Sequence, residues 1–304
     1  MSKIKTIVLK RGKEESLIRR HPWIFSGAIH HTEGEFQEGD VVRVLTAQGD
    51  FIAVGHWQIG SIAVRVLSFK DETINGEFYE NKLSVALDVR RSIGLLRNGK
   101  GLGEQETNNT YRLVHGEGDG LPGLVIDMYD GTAVMQAHSV GMHADRMLIA
   151  NSLKKIMGEE LKAVYYKSET TLPFKADLGQ ENGFLIGQSN NDIAIENGLK
   201  FHIDWLKGQK TGFFVDQRDN RSLLEQYSKN RRVLNMFCYT GGFSVYSMRG
   251  GAELVHSVDS SAKAVELVNK NIALNFPDDN RHKAFAADAF KFLDEMASNY
   301  DLVI

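Results

Sequence analysis

Cysteine is nearly absent from this chain: Cys238 stands alone among 304 residues. No internal disulfide can form, and a cysteine-based zinc site is excluded because zinc needs several convergent ligands. The ten histidines include no His-x₃-His pair, and His30 and His31 are simple neighbours. No apolar run approaches the ~18 residues that span a bilayer, so no membrane partner is expected. The amino terminus carries Lys3, Lys5, Lys10 and Arg11 where a secretory signal would be apolar. These absences point to a soluble protein of the reducing cytoplasm. Net positive charge is missing too: the formal value is −3, so any pull toward nucleic acid must come from a local patch. The first twenty residues hold one, seven Lys and Arg against Glu14 and Glu15. Alone, such a cluster is more often a solvated face.

What is present has globular proportions, 42% hydrophobic and 25% charged, in a length that suits two or three domains. Short strands are expected over residues 6–10, 23–25, 41–46, 51–57 and 62–67, with turns at Gly39, Gly49 and Gly60, a spacing that suits a small barrel. Asn75 is placed to cap a helix over 77–96. Strands at 111–115, 124–129, 132–138 and 163–167 follow, with an Asp130-Gly131 hairpin, a helix over 142–157 and Gly158 to end it. Asn197-Gly198 marks a second hairpin between 193–196 and 199–203. From Arg218 helix and strand alternate, with strands at 232–237, 254–258, 283–286 and 300–304. That pattern implies a parallel sheet covered by helices. The chain stops at Ile304, inside the expected fourth strand.

In open α/β sheets ligands bind beyond the carboxyl ends of the strands. After the first of these strands comes NMFCYTGGF over 235–243, a glycine turn opening a helix. After the second comes Asp259, eighteen residues beyond Gly241, near the ~20-residue offset at which a carboxylate meets ribose hydroxyls. After the third comes Asp288, placed to contact an adenine. The dinucleotide fingerprint G-x-G-x-x-G is missing, which counts against an NAD(P)-dependent oxidoreductase. Lys210-Thr211 lacks the P-loop glycines, since Asp204 and Gln209 occupy their places. Cys238 lies inside the turn, where a packed small residue is the ordinary expectation.

Three longer stretches carry a family resemblance: HPWIFSG at 21–27, Arg112 with GEGDGLPGL at 116–124, and GQKTGFFVDQR at 208–218 followed by Asn220. Over its whole length the chain resembles the PUA-domain family of class I methyltransferases, whose best-known members methylate cytosine C5 in bacterial large-subunit ribosomal RNA. The resemblance implies an α/β protein with an N-terminal PUA-like RNA-binding β-barrel (1–72) and a central small α+β domain (73–190). A Rossmann-like S-adenosylmethionine domain (191–304) follows, incomplete at its fourth strand. It implies that Lys210, Thr211, Phe213, Asp216 and Gln217 line the cofactor pocket. Asn235, Phe237, Tyr239 and Gly241 would form its floor, with Asp259 on the ribose and Asp288 near the adenine. Many members carry an acidic residue where Asn235 stands; an amide can still hydrogen-bond the ligand. Packing alone would explain Phe213 and Phe237 equally well, whereas Asp259 and Asp288 have no obvious packing role.

The PUA context gives the basic cluster, Lys10, Arg11, Arg19 and Arg20, a phosphate-contacting role. Glu117 and Asp119 fit either an active-site face or an ordinary turn. By resemblance a cysteine thiolate adds to C6 of the base before methyl transfer to C5. Both that cysteine and the family's Asp-Pro-Pro motif lie past the position of Ile304. Cofactor binding with little or no turnover is therefore expected of these 304 residues. A non-catalytic RNA-binding protein that retains the cofactor fold is the alternative. Monomer and homodimer are both open.

Overall fold

The computed structural model describes residues 5–96, 108–173, 178, 181–296 and 299–304. The chain divides into two compact units, Met1–Arg97 with Arg112–Ser189, and Asn98–Tyr111 with Asn190–Ile304.

The first unit opens with a six-stranded sheet. Its strands are β1 (Thr6–Leu9), β2 (Trp23–Phe25), β3 (Ile29–Glu33), β4 (Val41–Leu45), β5 (Phe51–Trp57) and β6 (Ile62–Ser68), with the single-turn helix α1 (Glu15–Ile18) between the first two. The spatial order is β2-β6-β5-β4-β1-β3. Alternation decides what faces inward: Ile7 and Leu9, Val42 and Val44, Val64 and Val66 join Leu17 and Ile24 in one buried cluster. Strand β3 escapes the sequence pattern because Ile-His-His-Thr-Glu has almost no apolar face; it pairs only with β1 at the sheet's end.

Helix α2 (Gly76–Ser92) begins where expected, its Phe78 N–H donating to Asn75 Oδ1 at 3.0 Å. It ends four residues early. Next come β7 (Thr110–His115), β8 (Leu124–Tyr129) and β9 (Thr132–Ala137). Asp130 and Gly131 both adopt left-handed φ in the tight turn between β8 and β9. The helix expected over 142–157 is two: α3 (Val140–Ala144), capped by Ser139, and α4 (Arg146–Met157). Side-chain bonds occupy the residue between them. Asp145 accepts from Tyr79 Oη at 2.5 Å and lies 3.1 Å from His56 Nε2, which holds its carboxyl below the usual range against the opposing effect of burial. Strands β10 (Ala163–Tyr166) and β11 (Gly183–Gly187) complete the order β11-β10-β9-β8-β7.

In the second unit β12 (Ile193–Glu196) and β13 (Leu199–His202) form the predicted hairpin, with Asn197 and Gly198 at φ 50° and 80°. Then α5 (Arg218–Tyr227), β14 (Arg232–Met236), α6 (Gly242–Arg249), β15 (Leu254–Asp259), α7 (Ala262–Asn275), β16 (His282–Ala286), α8 (Ala289–Met296) and β17 (Leu302–Val303) alternate. The sheet is wholly parallel, ordered β16-β15-β14-β17. Strand order reverses between β14 and β17. The loop after β14 thus lies at the switch point where such sheets take ligands. No helix among the described residues is long and apolar enough to cross a membrane.

Candidate cofactor site

The loop after β14 is held in an unusual backbone. Phe237, Tyr239 and Gly241 have φ of 50°, 46° and 77°, three left-handed residues within five, two of them not glycine. At Gly241 a side chain is excluded twice, by the φ and by Val268 of α7, whose Cγ1 would lie 2.8 Å from an added Cβ. Bonds from neighbouring elements hold the conformation. Asp259, at the end of β15, accepts from Tyr239 N–H through Oδ2 at 3.0 Å and from Ser261 N–H through Oδ1 at 2.9 Å. Asn271 of α7 donates to Thr240 O at 2.8 Å and accepts from His202 N–H at 2.8 Å.

Tyr239 joins this loop to the stretch before α5. Its hydroxyl accepts from Gln209 N–H at 2.9 Å and donates to Gly212 O at 3.3 Å, and its ring meets Phe214 edge-on at 5.4 Å. Gly208 lies so close beneath that an added Cβ would stand 2.8 Å from the hydroxyl. Lys210 is exposed at φ 49°, its ammonium 5.8 Å from the Phe214 ring centre, while Thr211 is buried. Exposed Asp216 accepts from Gln217 Nε2 at 3.0 Å, and Gln217 Oε1 accepts from Asn220 at 3.0 Å. The structure therefore brings Gly208, Gln209, Gly212 and Phe214 to Tyr239, and Tyr239 to Asp259, with Gly241 in the same loop, while Asp216 and Gln217 bond to each other and to Asn220.

Other expected residues are engaged elsewhere. Phe213 is core, with the Arg221 guanidinium 4.5 Å over its ring and Phe201 at 5.1 Å. Asn235 is 2% exposed, and its amide donates to Ser244 Oγ at 2.8 Å. Asp288 has a structural task after all: its Oδ1 accepts from Lys291 N–H at 3.0 Å at the start of α8. Phe237 is no packed residue, being 64% exposed, with its ring 5.8 Å from exposed Phe290. Cys238 is buried beside Asp259; burial first, then that carboxylate, push its thiol up to about 12. A thiol so rarely ionised is a poor nucleophile.

The donor set suits S-adenosylmethionine. Two of roughly four acceptor positions on Asp259 remain for ribose hydroxyls, and no side chain caps the amino terminus of α6, where backbone N–H groups favour a carboxylate.

Two buried networks had no signal in the sequence. Glu196, wholly buried, receives Arg221 through Nε at 2.9 Å and Nη2 at 2.8 Å, Tyr246 Oη at 2.9 Å, and the charge of Arg218 at 3.4 Å. Beneath the loop, Asn235, Ser244, Ser257 and His282 form a hydrogen-bonded row. Burial, with a contribution from His256, lowers the His282 imidazole to about 4. The fold thus keeps this ring neutral, while the unfolded chain titrates it near 6.5. Its stabilisation is complete above that value and lost as pH falls from about 6.5 toward 4, up to about 3 kcal/mol. Thermal midpoints measured across this window are expected to drop with pH, and less steeply in His282→Gln. Parallel profiles would contradict the assignment.

The basic residues belong to the first unit. Lys10, Arg11, Arg19 and Arg20 are all exposed. Lys10 Nζ donates to Gly27 O at 2.9 Å, and the Arg20 guanidinium lies 4.8 Å from the centre of the Phe69 ring.

Residues 7–69 match the model of a PUA-like domain, and residues 112–304 that of S-adenosylmethionine-dependent methyltransferases. The chain is 38% identical over 301 residues to ribosomal RNA large subunit methyltransferase I of Aeromonas hydrophila, covering 97% of this chain and 73% of that protein. The protein of the same name from Tolumonas auensis is 38% identical over 307 residues, covering 98% and 75%. Among solved structures, one from Streptococcus mutans described as a SAM-dependent methyltransferase superposes with a TM-score of 0.80 at 21% identity, covering 99% of this chain and 76% of that one. At that identity the likeness speaks for the fold.

Proposed function

The chain belongs to the S-adenosylmethionine-dependent methyltransferase family, with a PUA-like domain ahead of it, and from that membership we propose that it methylates large-subunit ribosomal RNA at cytosine C5. The observation that carries the RNA substrate is the likeness to ribosomal RNA large subunit methyltransferase I, which runs through both regions across 97% of the chain. S-adenosylmethionine supplies an electrophilic methyl group. On this proposal Asp259 orients the ribose, and Tyr239 fixes the 208–217 segment over the pocket, with Lys210, Thr211, Asp216 and Gln217 along its wall. Phe237 offers an exposed ring at the rim, and Asp288 stands near the adenine. Asn235 and Phe213 act from beneath, by holding the strand and the segment in place. Lys10, Arg11, Arg19 and Arg20 take phosphates, and domains at 1–72, 73–190 and 191–304 divide these tasks.

The choice of cytosine C5 follows the resemblance. That chemistry needs a thiolate, and Cys238, buried and raised to about 12, is unsuited to supply it. The test is methyl transfer from labelled cofactor to deproteinised large-subunit RNA by the protein, followed by nucleoside digestion. Label in 5-methylcytidine is expected, and label in another nucleoside overturns the cytosine proposal. Reversing charge at Arg19 and Arg20 together is expected to weaken RNA binding and to make what remains less sensitive to salt, with S-adenosylmethionine affinity unchanged. Equal RNA affinity in variant and parent would remove these two from the interface.

A further inference from the structure

Two of the longer sequence motifs, residues 21–27 and 116–124, meet within the first unit. Trp23 Nε1 donates to Glu117 Oε1 at 2.8 Å, and Arg65 Nη1 approaches the same oxygen at 3.4 Å. Arg65 is itself held, its Nε donating to Gln58 Oε1 at 3.0 Å and its guanidinium 5.9 Å from the centre of the Trp23 ring, opposite it in the β2–β6 pairing. Glu117 keeps 36% of its side chain exposed, and among the described residues nothing donates to its Oε2. Asp119, three positions from Gly116, is spent differently: it pairs with Arg90 and accepts from His115 N–H at 2.6 Å. Of the two acids in this turn, one is structural and one has an unused oxygen at the surface.

The Trp23 that holds Glu117 belongs to a group of three aromatic rings. The alternation of β2 sends Ile24 into the core at 3% exposure and turns Trp23 and Phe25 outward. The rings of Trp23 and Phe25 are 6.4 Å apart, and His21 lies 5.9 Å from the first and 6.2 Å from the second. Phe25 remains 49% exposed. An outward phenylalanine at this level of exposure contributes little to the fold, since apolar area stabilises only when it leaves water. Cations flank the rings on both sides along the chain, Lys10 fixed to Gly27 O and Arg20 one residue before His21 in left-handed backbone.

We infer that this surface is a nucleobase subsite, in which one unpaired base of single-stranded RNA stacks on Phe25 and His21 while its hydrogen-bonding edge donates to Glu117 Oε2. Lys10 and Arg20 meet the neighbouring phosphates. The inference rests on the proposal that the substrate is RNA. An apolar peptide would match the rings but leave a carboxylate oxygen and two cations unanswered. A nucleotide matches all three, with a π-face, an N–H edge and phosphates. Because Glu117 only accepts, the subsite favours guanine, which offers adjacent N1–H and N2–H donors, over uracil, which offers one.

The test is fluorescence anisotropy of the 304-residue chain with labelled oligouridine, the same strand carrying one central guanosine, and a duplex of equal length. Tighter binding of the guanosine strand than of oligouridine, and of single strand than of duplex, is expected. Phe25→Ala is expected to weaken single-strand binding by roughly tenfold, and Phe25→Trp to restore it with an unchanged melting temperature. Glu117→Gln keeps an acceptor for Trp23 but turns the free oxygen into a donor, so the guanosine preference is expected to vanish. Single-strand affinity equal in Phe25→Ala and parent overturns the stacking subsite, and a preference surviving in Glu117→Gln overturns the edge contact. Both leave the RNA proposal standing. A parent that binds S-adenosylmethionine by calorimetry yet none of the RNAs overturns that proposal and the subsite with it.

Discussion

Glu196→Ala is expected to lose about 3–5 kcal/mol of stability, read as a lowered midpoint in chemical denaturation. The size follows from what the carboxylate leaves behind. Arg221 and Arg218 are both buried and both face Glu196, at 2.8 Å and 3.4 Å. Without it two cations share a water-poor site with no counter-charge. Tyr246, whose hydroxyl is pushed up by burial and by Glu196, loses its acceptor as well. The damage should spread toward the cofactor segment, because Arg221 Nη1 also donates to Phe214 O at 3.0 Å and its guanidinium covers Phe213. Glu196→Gln retains a hydrogen-bond acceptor and is expected to lose less. A denaturation midpoint in Glu196→Ala equal to the parent's would mean that water reaches and solvates the guanidinium groups.

Such a network is invisible to sequence patterns. Glu196 and Arg221 are 25 positions apart, and a Glu before Asn-Gly reads as an ordinary hairpin residue. The same holds for His56 and Asp145, 89 positions apart, whose contact occupies the residue separating α3 from α4. Local signals fared better. The Asn75 cap, both tight hairpins and the strand-helix alternation of the second unit are short-range, and each has a backbone cause that residue type reveals. Strands β3 and β11 carry no signal because neither shows the clean alternation of a strand with one buried face. For the site, position was legible where a strand ends, but occupation was not. Asp259 and Asp288 look alike in sequence; one holds the Tyr239 backbone, and the other starts a helix.

Asp259→Ala is expected to reduce S-adenosylmethionine affinity by about a hundredfold, the scale of one or two hydrogen bonds to a charged acceptor. Two effects contribute and can be separated. The carboxylate offers its remaining acceptor positions to ribose hydroxyls, and it anchors the Tyr239 N–H and hence the left-handed loop. Tyr239→Phe leaves Asp259 in place but removes the hydroxyl that receives Gln209 N–H and reaches Gly212 O, so it tests loop and segment positioning without touching the ribose acceptor. Calorimetry is expected to rank the variants parent, Tyr239→Phe, Asp259→Asn, Asp259→Ala in falling affinity, the amide keeping one acceptor oxygen where alanine keeps none. If Tyr239→Phe lost as much as Asp259→Ala, positioning rather than ribose contact would be the larger effect. If Asp259→Ala bound as tightly as the parent, neither the ribose contact nor the anchoring of the Tyr239 N–H would contribute to affinity, and the ribose would have to be held by the exposed wall residues, Lys210 and Asp216 first among them.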